Sequence, residues 1–168
     1  MIVAGIDAST TATGICIMKN GELVYHELIK ISTYKEKDAE KRINMMLIRL
    51  RDVLDQYNLD RIYIEKAICK GGNVDTTIKL AYLSGGISFY CLQNNIEFHN
   101  PTPSEWRKVI GIAQGRGVKR ETQKEEAIKA VKDNYGIDEG DDVAESILIC
   151  RSAFDLPKLN ITEDDLWE

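Results

Sequence analysis

Between Ile2 and Lys30 the chain places short apolar runs between turn residues. MIVAGIDAST, ATGICIMK and ELVYHELIK predict strands near 2–9, 12–19 and 22–30. Asn20-Gly21 is a strong hairpin signal between the last two, so an antiparallel meander opens the fold. The period then changes. In KEKDAEKRINMMLIRLRDVLDQYN, Ile43, Met46, Leu47, Leu50, Leu54 and Tyr57 make one stripe of a long amphipathic helix, with Met45 and Met46 assigned to the core.

A short β-branched strand near 60–65 follows, ends on Glu65 and runs into a glycine-containing loop. The next helix, 74–94, has two apolar faces: Val74, Ile78, Ala81 and Phe89 on one, Leu80, Leu83 and Ile87 on the other. Such a helix is either sandwiched in the core or shared with another chain. Gly85-Gly86 in its middle disfavours helix by propensity but permits close backbone approach. After a strand at IEFHN, TPSEWRK has the form of a capping box, with Thr102 as N-cap, Pro103 at the first position and Glu105 closing it. GIAQGRGVKR reads as a mobile basic loop before a helix over 120–134, and GDDVAESILICRSAF starts a last helix buried along Val143, Ile147 and Cys150. The order predicts an α/β fold, a mixed sheet with helices on its faces.

With 168 residues the chain suits one domain, 1–154, followed by an acidic tail at 155–168. Its start has no basic n-region or cleavage site, and no apolar run reaches membrane-spanning length, so the expected location is the cytoplasm. Cys16, Cys69, Cys91 and Cys150 are widely spaced and read as reduced thiols, three of them in apolar surroundings. Two histidines, His26 and His99, are too few for a histidine-built zinc site, so a metal here would be held by oxygen.

The net charge of −5 is unevenly spread. The tail carries five acids against one base, whereas Arg107 to Lys132 carries eight bases against three acids. A basic flank of that kind suits a phosphate backbone, although a mixed run is more commonly a solvated helix face.

The acids in apolar segments or at element ends are more informative. Asp7 sits in the first strand, Glu65 ends the fourth, and Asp142 and Glu145 open the last helix, where i and i+3 share a face. If the first and fourth strands are neighbours, Asp7 and Glu65 lie side by side, and the four make an oxygen-only cluster suited to Mg²⁺ or Mn²⁺. Two such cations can drive phosphodiester hydrolysis without a side-chain nucleophile. Each residue also has a plainer reading: Asp142-x-x-Glu145 as a capping pattern, Asp7 as a turn former, Glu65 as a partner of Lys66.

GIDASTTATGICIM, IYIEKAICKGGN, TPSEWRKVIG and DDVAESILIC, in this order and spacing, resemble the RuvC Holliday junction resolvases over nearly all of residues 1–154. The resemblance implies a ribonuclease H-like five-stranded sheet flanked by helices, and a homodimer without nucleotide cofactor. It also implies Mg²⁺-dependent paired nicks in four-way DNA junctions, leaving 5′-phosphate and 3′-hydroxyl ends. Asp7, Glu65, Asp142 and Glu145 would hold two Mg²⁺ ions, replaceable by Mn²⁺. DNA contacts are expected from Ile68, Lys70, Arg107, Lys108, Arg116, Lys119, Arg120 and Lys124, with Trp106 in the core. The dimer face is expected at Leu80, Leu83 and Ile87.

The sequence departs from the family at three places. Ala8-Ser9 stands where Pro-Gly is usual, Glu145 where aspartate is usual, and Ile68 where an aromatic commonly wedges into the crossover. Asp141 beside Asp142 also leaves the register open by one residue. These departures resemble a diverged, phage-type branch that acts on other branched DNA as well, in a bacterial or phage-infected cell. Rival readings are a single-domain relative of actin-like and sugar-kinase phosphotransferases, a catalytically silent nucleic-acid-binding module, and a monomeric ribonuclease H. The first needs two such domains and a second phosphate-binding turn, which the chain lacks.

Overall fold

A computed structural model describes residues 1–69, 73–112 and 117–154. The first strands are β1 (Ile2–Asp7), β2 (Ala12–Lys19) and β3 (Glu22–Lys30). Asn20 and Gly21 take φ of 52° and 85°, the left-handed pair that a tight two-residue hairpin requires. Then come α1 (Ala39–Leu54), β4 (Arg61–Ile64), α2 (Val74–Asn94), β5 (Glu97–His99), α3 (Pro103–Ile110), α4 (Arg120–Tyr135) and α5 (Asp141–Arg151). The sheet order is β3-β2-β1-β4-β5, antiparallel among the first three strands and parallel across β1-β4 and β4-β5.

Both faces of the sheet are covered, and strand alternation decides which residue goes to which side. Ala4, Ile6, Ile15 and Ile17 face α1 and α2, whereas Val3, Cys16 and Met18 face α3, α4 and α5. Asp7, two residues beyond Gly5 and four beyond Val3, therefore points to the α5 side, as does Glu65 beyond Tyr63.

The helix ends follow their sequence signals. Thr102 and Glu105 form the reciprocal capping box of α3, and Gly111 closes that helix at φ 98°. On α1, Ile43, Met46, Leu50 and Leu54 are buried, but Met45 is 44% exposed and does not join the core.

The two faces of α2 fall the other way round from the sequence expectation. Leu83 and Ile87 are in the core of their own chain, and Leu80 on the same side is half-buried. Gly86 lies against α1, where an added Cβ would come within 2.6 Å of a Leu47 methyl. The open face instead carries Val74, Ile78, Tyr82, Phe89 and Leu92, with Gly85 facing free space. Periodicity finds two apolar faces but cannot tell which one the sheet takes; the close approach at Gly86 decides it.

Candidate active site

Asp7 ends β1 opposite Gly14 of β2, and the Glu65 amide donates to the Ile6 carbonyl at 3.2 Å, one residue beyond the Ile6–Ile64 pair of the parallel ladder. Two carboxylates thus leave the ends of adjacent parallel strands side by side. The Ser9-Thr10-Thr11 turn that follows Asp7 is tied locally: buried Thr13 donates its hydroxyl to the Ser9 carbonyl at 2.7 Å and accepts from the Ser9 amide at 3.0 Å.

The other two acids arrive with α5. That helix crosses β1 and β2 at very short range, because a Cβ on Gly14 would lie 1.9 Å from the Asp142 carbonyl oxygen and one on Gly5 would lie 2.4 Å from that of Ser146. Only glycine lets the helix settle there. Asp142 and Glu145 come with it, near enough for their charge to act on Asp7. No side chain caps α5, so neither acid serves as its N-cap; Asp142 lies in the first turn and Glu145 is buried beyond it.

The electrostatics identify Asp7 as the centre of the group. Its half-buried carboxyl is pushed well above the ordinary carboxylate range by burial first, then by the negative charges of Glu145, Glu65, Asp142 and Asp141. Asp142 is raised by burial and by Asp141, against the lowering influence of Lys124 and Arg120.

Three neighbours manage the acids. The Trp106 indole N–H donates to Glu65 Oε2 at 2.6 Å. Arg107, the next residue on α3, donates from its guanidinium to Glu145 Oε1 at 2.7 Å, both side chains being buried. Lys124 on α4 pairs with Asp141. Among the described residues no three acid, histidine or cysteine side chains are close enough together to hold one ion, and Trp106 and Arg107 account for where Glu65 and Glu145 are held. The donor set nonetheless fits a hard divalent cation, since it is all oxygen and leaves Asp7 amid like charge.

The expected DNA-contact residues separate into groups. Lys108, Lys119 and Arg120 are exposed, and Lys124 is half-buried with Asp141. Arg107, expected as a phosphate contact, is buried in the free chain and donates to Glu145, because α3 packs that side against α5. Ile68 is 43% exposed just after β4. Lys70, Arg116 and the tail at 155–168 lie outside the described residues. Trp106 is buried as expected, but its hydrogen bond to an acid was not foreseen. The available signal was that a buried indole N–H needs an acceptor. No described helix is long and apolar enough to cross a membrane.

Residues 3–149 match the family model described as crossover junction endodeoxyribonuclease RuvC. The chain is 27% identical over 154 residues to the RuvC of Dictyoglomus thermophilum, covering 90% of this chain and 95% of that protein. To the RuvC of Caldicellulosiruptor saccharolyticus it is 28% identical over 152 residues, covering 89% of each. Among solved structures, T. thermophilus RuvC in complex with a Holliday junction substrate superposes with a TM-score of 0.70 at 19% identity, over 90% of this chain and 92% of that one. The fowlpox virus Holliday junction resolvase gives 0.57 at 14% identity, over 89% and 94%. At these identities the likeness is one of fold, the ribonuclease H-like arrangement.

Proposed function

The chain belongs to the RuvC family of crossover junction endodeoxyribonucleases, the Holliday junction resolvases, and on that premise we propose that Asp7, Glu65, Asp142 and Glu145 are its catalytic metal ligands. The observation that carries this is Asp7, a half-buried carboxyl at the end of β1, beside Glu65 at the end of β4. It lies under the negative charge of Glu145, Glu65 and Asp142, with no basic partner of its own among the described contacts. Bound Mg²⁺, or Mn²⁺ in its place, would supply water activation and stabilisation of the leaving oxygen, two ions to a site, giving 5′-phosphate and 3′-hydroxyl ends.

The protein's own part is to aim the ligands. β1 and β4 fix Asp7 and Glu65, Gly5 and Gly14 admit α5, and Trp106 holds one oxygen of Glu65. Lys119 and Arg120 at the start of α4 and Lys108 on α3 track the phosphates of branched DNA, chiefly four-way junctions. Arg120 is near enough to the acids to lower Asp142, which supports a phosphate path leading to the site. Ile68 enters the crossover as an apolar wedge. Lys70 and Arg116 are proposed as DNA contacts from the sequence alone.

A homodimer forms on the exposed α2 face of Val74, Ile78, Tyr82, Phe89 and Leu92, setting two sites against opposed strands for paired nicks. Residues 1–154 form the nuclease domain and 155–168 an acidic tail. Ala8-Ser9, Glu145 and Ile68 support a phage-type branch acting in the bacterial cytoplasm.

The test is to present labelled four-way, three-way, flap and linear DNA with and without Mg²⁺ and map the nicks. Paired, metal-dependent nicks in the four-way junction are expected, abolished in Asp7→Asn while junction binding persists. Normal cutting by Asp7→Asn would end the metal-site reading.

A further inference from the structure

Two consecutive residues of α3 hold two acids of the site, but they hold them differently. Trp106 offers a neutral N–H to Glu65 Oε2, a contact that leaves the second oxygen open to an ion and fixes the carboxylate plane. Arg107 places a full positive charge on Glu145, and a guanidinium and a divalent cation compete for the same carboxylate.

Arg107 is held by Glu145 and by stacking on Trp106, its guanidinium carbon 4.7 Å from the ring centroid, but its buried Nε has no partner among the described residues, so part of the fork is unused. Lys124 is engaged with Asp141. A guanidinium is a rigid five-donor fork that matches a phosphate with two parallel hydrogen bonds. Arg107 is followed on its helix by exposed Lys108, and α4 opens with exposed Lys119 and Arg120. The better partner for the Arg107 fork is therefore a DNA phosphate arriving over that basic surface.

We infer that Arg107 is a positioning residue that withholds Glu145 from the metal until a DNA phosphate draws the guanidinium away, so that metal and junction each strengthen the binding of the other. The inference rests on the reading of Glu145 as a metal ligand. The coupling is reciprocal by thermodynamic necessity. Free protein carries a guarded site, half arranged at Glu65 and half occupied at Glu145. The DNA complex carries an open one, which confines hydrolytic competence to the bound state.

The experiment is calorimetric titration of Ca²⁺, a hard cation that takes oxygen ligands, into the protein alone and into its complex with a four-way junction, with the junction alone subtracted. Wild-type protein is expected to bind Ca²⁺ about tenfold more tightly in the complex, and Arg107→Met to bind it about tenfold more tightly than wild type when free, with little further gain from DNA. Arg107→Lys, which keeps a charge but not the fork, should shift the free constant in the same direction by less. It serves if Arg107→Met does not fold. Free constants unchanged in the folded variants overturn the guard. Glu145→Gln, titrated in the junction complex where the guard is open, separates the two readings: if it binds Ca²⁺ there as wild type does, Glu145 is not a ligand and the parent reading fails. If it binds more weakly while Arg107→Met is unchanged, only the guard fails.

Discussion

Trp106 donates its indole N–H to Glu65 at 2.6 Å across 41 positions of sequence, from a ring that is 1% exposed. Trp106→Phe keeps a six-membered aromatic ring but deletes the donor and the pyrrole part of the indole. Loss of an outer partner of a ligand typically costs about 10–100-fold in metal affinity or activity, so the Mg²⁺ concentration for half-maximal nicking is expected to rise at least about tenfold. Stability should fall by about 1–3 kcal/mol, the lost hydrogen bond plus the space left in the core. Mg²⁺ titration of nicking beside a thermal melt checks both; an unchanged requirement would show that the indole contact does not set Glu65.

Lys124 engages Asp141, which favours Asp142 as the ligand of the pair. Asp142→Asn should reduce nicking by at least about a hundredfold. Asp141→Asn should stay within about tenfold of wild type and lose at most about 1 kcal/mol, since the pair is about a third exposed and screened by solvent. Reversed outcomes would move the ligand by one residue.

The raised carboxyl of Asp7 makes the metal-free protein pH-sensitive. A carboxyl whose folded pKa exceeds its ordinary value of 3.8 binds its proton more tightly in the fold. Its contribution to stability is full below 3.8 and is lost as pH rises through the folded value. Asp142 is shifted in the same direction. In chelator, wild type is expected to melt lower at pH 8 than at pH 5, Asp7→Asn to show a flatter profile, and Mg²⁺ to restore the wild-type loss at pH 8. A wild-type profile as flat as that of the variant would mean that Asp7 is not strained by its neighbours.

The exposed α2 face and the buried one predict different failures. Phe89, 60% exposed, tolerates Glu in the folded chain, so Phe89→Glu should sediment as a folded monomer and lose paired cutting. Leu83, fully buried, does not: Leu83→Glu buries an unpaired charge at a cost of several kcal/mol and should unfold the chain. A Phe89→Glu dimer would place the interface elsewhere.

Most of the architecture was readable from pattern alone. Asn20-Gly21 marked the hairpin, Thr102-x-x-Glu105 the start of α3, and the two apolar faces of α2 its span of 74–94. The candidate site was readable as four acids, because carboxylates at strand ends and one helix face stand out against apolar surroundings. Their management was not. Which face of α2 turns inward, which acid Arg107 meets and which of Asp141 and Asp142 is engaged by Lys124 are long-range facts that no local period encodes. No local pattern marks Gly5 and Gly14 as the places where α5 approaches closest, yet each is a hole into which α5 fits.

The docking of α5 also determines when the site comes into being. The Cys150 thiol donates to the Val3 carbonyl across 147 positions, so β1 waits for a helix made long after it. A ribosome emits Asp7 and Glu65 early and Asp142 and Glu145 late. A nascent fragment that stops before α5 therefore lacks half of the acid cluster.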